Sequence, residues 1–277
     1  MKKAILVTSF GSSDIDAVDK SISIIEKEIA LEFKDYDVVR AFTAHRIIKK
    51  IKAQSGEVIK TPEEALEELK NLGYEEVIIQ PLHIIAGEEY DYIKKVFNDN
   101  KNNFENLLLG RPIFYYGGAN GTPNDYIEFI NAVEDEILKD DKAVVLFGHG
   151  TAHPANSAYG CLQSILNYKG YDNVFITTVE AYPKFEDVLA ILKRKSIKKV
   201  KVIPLLLLAG HHAKQDMASN EEGSLKTYLE NEGISVEVLI NGLGEIKKFR
   251  ELYILRIKDV IEGTYHMIGE TKKYIKN

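Results

Sequence analysis

The amino-acid sequence predicts an α/β fold of two similar, doubly wound parallel-sheet domains facing a central cleft. Three observations lead there. Short apolar runs alternate with segments of helical period. The alternation restarts near the middle with related segments. The chain has 277 residues, enough for two domains of ordinary size.

Residues 3–9 (KAILVTS) have the pattern of a buried strand. Val18, Ile22, Ile25 and Ile29 then mark one face of a helix of about sixteen residues. Residues 37–43 (DVVRAFT) read as the next strand. Thr61 fits an N-cap, Pro62 the first helical position and Glu64 a capping box. Leu66 and Leu69 line that helix and Gly73 ends it. Residues 75–84 and 106–114 are the third and fourth strands. A Gly/Pro/Asn loop at 115–124 precedes a helix through Asp140, with Ile127, Ile130, Val133 and Ile137 on one face. The second series has strands at 143–147, 173–179, 199–208 and 234–240. Its helices lie near 157–168, 184–195 and 221–231, and a final helix begins at Glu245 and ends near Glu262. The boundary is expected between residues 120 and 142, dividing the chain into 1–130 and 131–277, with the last helix free to pack back on the first domain.

Apolar residues make up 45% and charged residues 28%, ordinary values for a globular protein with a sizeable core. The single cysteine, Cys161, excludes an internal disulfide and suits a reducing, cytoplasmic compartment. It falls on an expected apolar helix face with Tyr159, Leu162 and Ile165. The first apolar run is too short for a signal-peptide core, and the run at 203–210 is too short to span a bilayer. At net charge −6, with basic residues scattered apart from a cluster at 193–201 and a basic tail, nucleic-acid binding is not expected. The tail 263–277 and His266 carry no functional signal.

The restart is an internal repeat. Setting Pro81 on Pro204 aligns two apolar strands that each end in Ala-Gly and two ligand-capable residues, Glu88-Glu89 in one and His211-His212 in the other. The same comparison sets Phe10 on His149 and Thr43 on Glu180. A duplicated unit implies two facing halves, and ligand sites favour such interfaces.

His149, Glu180 and His212 each follow a predicted strand of the second half, at the edge where open α/β sheets bind ligands. Neighbouring strands are about 4.8 Å apart, so these side chains can converge on one cation at about 2.0–2.2 Å. Two imidazoles and a carboxylate suit a borderline divalent metal such as zinc, iron, cobalt or nickel, with positions left open for chemistry. Gly148 and Gly150, flanking His149, permit a close backbone approach. Glu88 and Glu89 have two readings: groups opposed to the histidines across the cleft, or acids at a helix N-terminus. His83, inside an apolar strand, reads as a hydrogen-bonded core histidine. His153 precedes Pro154 and either lines the cleft or faces solvent. A Walker motif and G-x-G-x-x-G after a strand are both missing, so no nucleotide or organic cofactor is expected.

At these residues the chain resembles the anaerobic-type sirohydrochlorin cobalt chelatases, of the class II chelatase superfamily that includes ferrochelatase. The matching segments are Ser9-Phe10-Gly11-Ser12-Ser13, Arg40-Ala41-Phe42-Thr43 and the run from Gln80 through Tyr90. In the second half they are Gly148-His149-Gly150-Thr151-Ala152-His153, Val179-Glu180-Ala181-Tyr182-Pro183, Ala209-Gly210-His211-His212-Ala213, Asp216-Met217-Ala218-Ser219 and Gly242-Leu243-Gly244-Glu245. The resemblance implies two domains clamping a sirohydrochlorin-type tetrapyrrole, with the metal held by His149, Glu180 and His212. Often an acidic residue stands in the family where this chain has His211.

On this reading the divalent metal (Co²⁺, with Fe²⁺ or Ni²⁺ as alternatives) is a substrate, inserted without ATP. His149, His212 and Glu89 are the candidates for taking pyrrole protons. Ser9, Ser12, Ser13 and Arg40 are expected to meet substrate carboxylates, and Phe10 and Glu88 complete the expected substrate-binding set. Competing readings are a tetrapyrrole or metal carrier without turnover and a metal-dependent hydrolase; the latter's dense Asp/His motifs are missing.

Overall fold

A computed structural model describes residues 1–138 and 142–264. The first half runs β1 (Lys3–Ser9), α1 (Ile15–Lys20), α2 (Ile22–Glu32), β2 (Asp37–Phe42), α3 (His45–Ser55), α4 (Pro62–Asn71), β3 (Glu76–Pro81), α5 (Glu88–Asn100) and β4 (Asn106–Leu109). Then come α6 (Asp125–Val133), β5 (Ala143–Gly148), α7 (Ser157–Tyr168), β6 (Val174–Thr178), α8 (Phe185–Arg194), β7 (Lys199–Pro204), α9 (Leu225–Asn231), β8 (Ser235–Val238) and α10 (Lys247–Ile261).

The strands form two four-stranded sheets, ordered β2-β1-β3-β4 and β6-β5-β7-β8. Every pairing is parallel. The two orders are the same once β5 is set on β1, as the sequence repeat requires. In each sheet the strand order reverses beside the first strand, which opens a crevice at the carboxyl ends of β1 and β3 and of β5 and β7.

Period-2 alternation divides each strand between two cores. Ala4 and Leu6 pack outward under α4 and α5; Ala143, Val145 and Phe147 pack outward under α8 and α9. Ile5, Val7, Val144 and Leu146 face inward, into one cluster that joins the two sheets through α2, α6, α7 and α10. The connecting helices are exchanged. α10 follows the second sheet yet packs on β3 and α2 of the first, while α6 follows the first sheet and packs on α7. The expected boundary at 130/131 falls inside α6.

Polar links fasten the exchange. Arg250 makes a bidentate pair with Glu28 at 2.8 and 2.9 Å. The Tyr253 hydroxyl donates to the Leu82 carbonyl at 2.9 Å. Asp125, fully buried, accepts from the Tyr115 and Tyr116 amides and faces the buried guanidiniums of Arg111 and Arg256 at 3.3 and 3.0 Å.

Several elements differ from the sequence reading. The first long helix breaks at Ser21 into α1 and α2, where Asp14 caps α1 through the Ala17 amide. The helix α3 has no counterpart in that reading, because its apolar face rests on Ile47, Ile48 and Ile51 alone among basic residues. β4 and β7 stop at Leu109 and Pro204, so the apolar stretches that follow are loops. The helix expected to reach Asp140 is helical to Leu138, through a π-helical turn at Glu134–Leu138; residues 139–141, and His266 with the tail from 265, lie outside the described residues. Cys161 is exposed: two positions on from Tyr159, it points to the other side of α7.

Asp125→Ala is expected to leave two buried guanidiniums under-compensated and to cost about 3–5 kcal/mol. Urea unfolding followed by circular dichroism measures it, and the shared core predicts one transition for both halves.

Candidate metal centre

His149 is the first residue beyond β5. The backbone continues the parallel ladder there, with the Val179 amide donating to Gly148 and the Glu180 amide to His149 at 2.9 Å. The continuation sets Glu180 beside His149, and their Oε2 and Nδ1 atoms are 3.6 Å apart. His212 arrives from β7 through the loop at 205–211. Its ring stands edge-on to that of His149, centroids 4.5 Å apart at 89°. All three side chains are partly open to solvent, at 39, 57 and 42% for His149, Glu180 and His212. Three residues distant in sequence thus gather at the rim of the second sheet.

Both imidazoles have Nδ1 engaged: His149 with the Gly150 carbonyl at 2.9 Å, His212 with the Asp216 carboxylate at 2.6 Å. When Nδ1 carries the proton, Nε2 keeps a lone pair, which is the form a metal ligand needs. Among the described residues, no three His, Cys, Asp or Glu side chains close on one point as a finished coordination shell. A shell that included the exposed Glu180 would require its side chain to turn, a rotamer change on the picosecond-to-nanosecond scale.

The loops are held by groups that the sequence reading did not single out. The Asn156 side chain accepts from the Thr151 amide at 3.1 Å and donates to the Tyr182 carbonyl at 2.6 Å, tying the His149 loop to the Glu180 loop. A Cβ on Gly148 would lie 2.6 Å from the buried Tyr159 ring. Gly150 has φ +82°, and a Cβ there would lie 2.8 Å from the Ala181 amide nitrogen. The bulky neighbour these glycines admit is the protein itself.

Among the described residues, two ion pairs join the first half to this rim. Asp91 on α5 pairs with His153 at 3.0 Å. Burial works against ionisation of Asp91, but Lys94 and His153 outweigh it and hold its pKa below the usual carboxylate range. Lys214 pairs with Asp14, whose pKa this bond lowers. His153 therefore lines the gap between the halves. Nearby, a Cβ on Gly210 would lie 3.4 Å from the Ser12 hydroxyl, so the loop after β1 faces the loop carrying His211 and His212.

Of the expected substrate residues, Phe10 is 51% exposed and Ser12 and Ser13 are part-exposed on that loop. Ser9 is buried at the end of β1. Glu88 and Glu89 open α5, in the same first turn as Asp91. Arg40 is not brought to the rim. Its guanidinium is held by Glu26 at 2.8 and 2.5 Å and by Ser23, in a groove beside α2. The alternation of β2 accounts for this, since Arg40 lies two residues short of the strand end and pairs with Val7 rather than Ser9. His83 is not hydrogen-bonded: both ring nitrogens are buried without a partner, and burial lowers its pKa to about 4.

The chain is a chelatase with two similar parallel α/β halves, His149, Glu180 and His212 gathering at the rim of the second. The fold is similar to that of SirB from Bacillus subtilis with Fe³⁺ (TM-score 0.62, 17% identity, covering 96% of this chain and 99% of that one). It is also similar to CbiX, the terminal enzyme of siroheme biosynthesis in denitrifying bacteria (TM-score 0.54, 15% identity, 92% and 98%). The chain belongs to the cobalt chelatase (CbiK) family, whose model matches residues 3–262. It is 35% identical to the sirohydrochlorin cobaltochelatase of Salmonella typhimurium over 94% of this chain and 97% of that protein. It is 28% identical to the sirohydrochlorin cobaltochelatase CbiKC of Nitratidesulfovibrio vulgaris, over 91% and 88%.

Gly150→Ala is expected to strain the loop and destabilise the protein by about 1–3 kcal/mol, with weaker Co²⁺ binding; thermal melts and Co²⁺ titration read the two effects. His83 gives a pH dependence. Its folded pKa lies below the ordinary 6.5, so the unfolded chain binds the proton more readily and stability falls as pH drops from 6.5 towards 4. His83→Leu should shrink the loss of urea midpoint between about pH 7.5 and about pH 5.

Proposed function

We propose that this chain inserts Co²⁺ into sirohydrochlorin without ATP, using His149, Glu180 and His212 to hold the ion beside the macrocycle. The convergence of those three side chains at the crevice edge of the second half is the observation that carries the reading. The names of the two curated relatives supply the substrate and the metal. A cytoplasmic setting is in keeping with the single, exposed Cys161, and no helix among the described residues is long and apolar enough to cross a membrane.

Insertion exchanges two pyrrole N–H protons for one divalent cation. The macrocycle lies between the halves, with Phe10, Ser12 and Ser13 on one side and the metal donors on the other. As the pyrrole nitrogens capture the ion, His149, Glu180 and His212 release it. The imidazoles so freed, or Glu89 at the start of α5, accept the protons. With Arg40 committed to Glu26 and Ser9 buried, the donors to substrate carboxylates are the hydroxyls of Ser12 and Ser13 and the backbone amides of residues 10–13. Closure of the halves bends the ring and exposes nitrogen lone pairs, a strain of about 1–5 kcal/mol drawn from remote contacts. Fe²⁺ and Ni²⁺ accept the same donors, so metal preference is set by availability as well as geometry.

The test is absorbance spectroscopy with sirohydrochlorin in excess. The wild-type protein is expected to metallate many equivalents with Co²⁺, and His212→Ala to be slower by about 100-fold or more. Saturation at one equivalent would mark a carrier, and a wild-type rate in His212→Ala would remove that residue from the mechanism.

A further inference from the structure

We infer that Asp216 is a positioning residue for the metal centre: it holds His212 in the tautomer that offers Nε2 to the cation. The inference rests on the reading of His212 as a metal donor. Its own basis is geometric. Asp216 Oδ2 lies 2.6 Å from His212 Nδ1, and an ionised carboxylate only accepts hydrogen bonds. The shared proton therefore sits on Nδ1, and the lone pair is left on Nε2, the nitrogen away from Asp216. Second-sphere carboxylates of this kind orient metal-binding imidazoles and raise their basicity.

The carboxylate is well fixed for the task. It lies on a π-helical turn, Ala213–Met217, a form that recurs at functional sites. Ala213 and Met217 are fully buried in the outer core of the second half. Lys214 anchors the same turn twice, by its amide to the Gly210 carbonyl at 3.0 Å and by its ammonium to Asp14 across the gap. The corresponding nitrogen of His149 hydrogen-bonds the Gly150 carbonyl at 2.9 Å, with the Glu180 carboxylate farther off at 3.6 Å.

The experiment combines tautomer and affinity measurements on the full chain. In the metal-free protein, nitrogen-15 NMR should show the neutral His212 ring protonated on Nδ1 and not on Nε2. In Asp216→Asn the amide can donate to Nδ1 and impose the opposite tautomer. Titration with Co²⁺ alone should then show affinity lowered by about 10–100-fold. KM for Co²⁺ should rise while KM for the tetrapyrrole and the melting temperature stay unchanged. Asp216→Ala should also bind Co²⁺ more weakly. Unaltered Co²⁺ affinity in both variants would overturn the inference. So would weaker binding by Asp216→Asn with His212 still protonated on Nδ1, since Asp216 would then be a ligand itself. His212→Ala separates the two readings: if it lowers Co²⁺ affinity while Asp216→Asn does not, only the positioning role fails, and if it does not, the metal-centre reading fails with it.

Discussion

Each sheet has an inner face that its own half cannot cover. β1 and β5 carry apolar residues on both sides, and helices supplied in local sequence order protect the outer faces. The inner faces are closed by the exchange: α10 returns to the first sheet, α6 crosses to the second, and one apolar cluster fills the space between. Burial of that cluster, at about 25 cal/mol for each Å² of apolar surface removed from water, holds the two halves at a set orientation. The buried Asp125 with its two arginines fixes the register of the exchanged helices within it.

The site follows from that orientation. Because both sheets reverse their strand order at the same place, both present crevice edges, and the shared core turns the edges towards one gap. The second half brings His149, Glu180 and His212 to the gap, and the first brings Phe10, Ser12 and Ser13. Contact between them is polar and local, at Asp91–His153 and Asp14–Lys214. Partly exposed ion pairs of this kind are worth little individually, so the halves are held together chiefly by the core beneath.

Much of this was legible in the residues. The repeat announced two equivalent sheets, and alternation placed His149 and Glu180 just past strand ends; His212 lies farther on, because β7 stops at Pro204 and a loop carries the chain to it. The ligand-bearing loops could be recognised because chemistry there needs particular residue types. What stayed hidden depended on side-chain direction. Arg40 looked like an anion donor until β2's pleat turned it towards Glu26. His83 looked satisfied, yet both nitrogens are buried alone. Asn156 ties two loops that meet only after folding, and no spacing marks it. Asp216 carried a signal, the four-residue interval from His212, but whether the turn between them brings the groups together is a matter of local helical geometry.

The exchange of helices also bears on how the chain is made. During synthesis the first sheet is complete once residue 109 has left the ribosome, but the helix that covers its inner face spans residues 247–261. While residues 110–246 are being made, Ile5, Val7 and Ile78 therefore wait without their final neighbour, as an adhesive surface of the sort that chaperones shield. A protein built from two like halves cannot mature one half at a time; the helix at Lys247–Ile261 decides when the first becomes native.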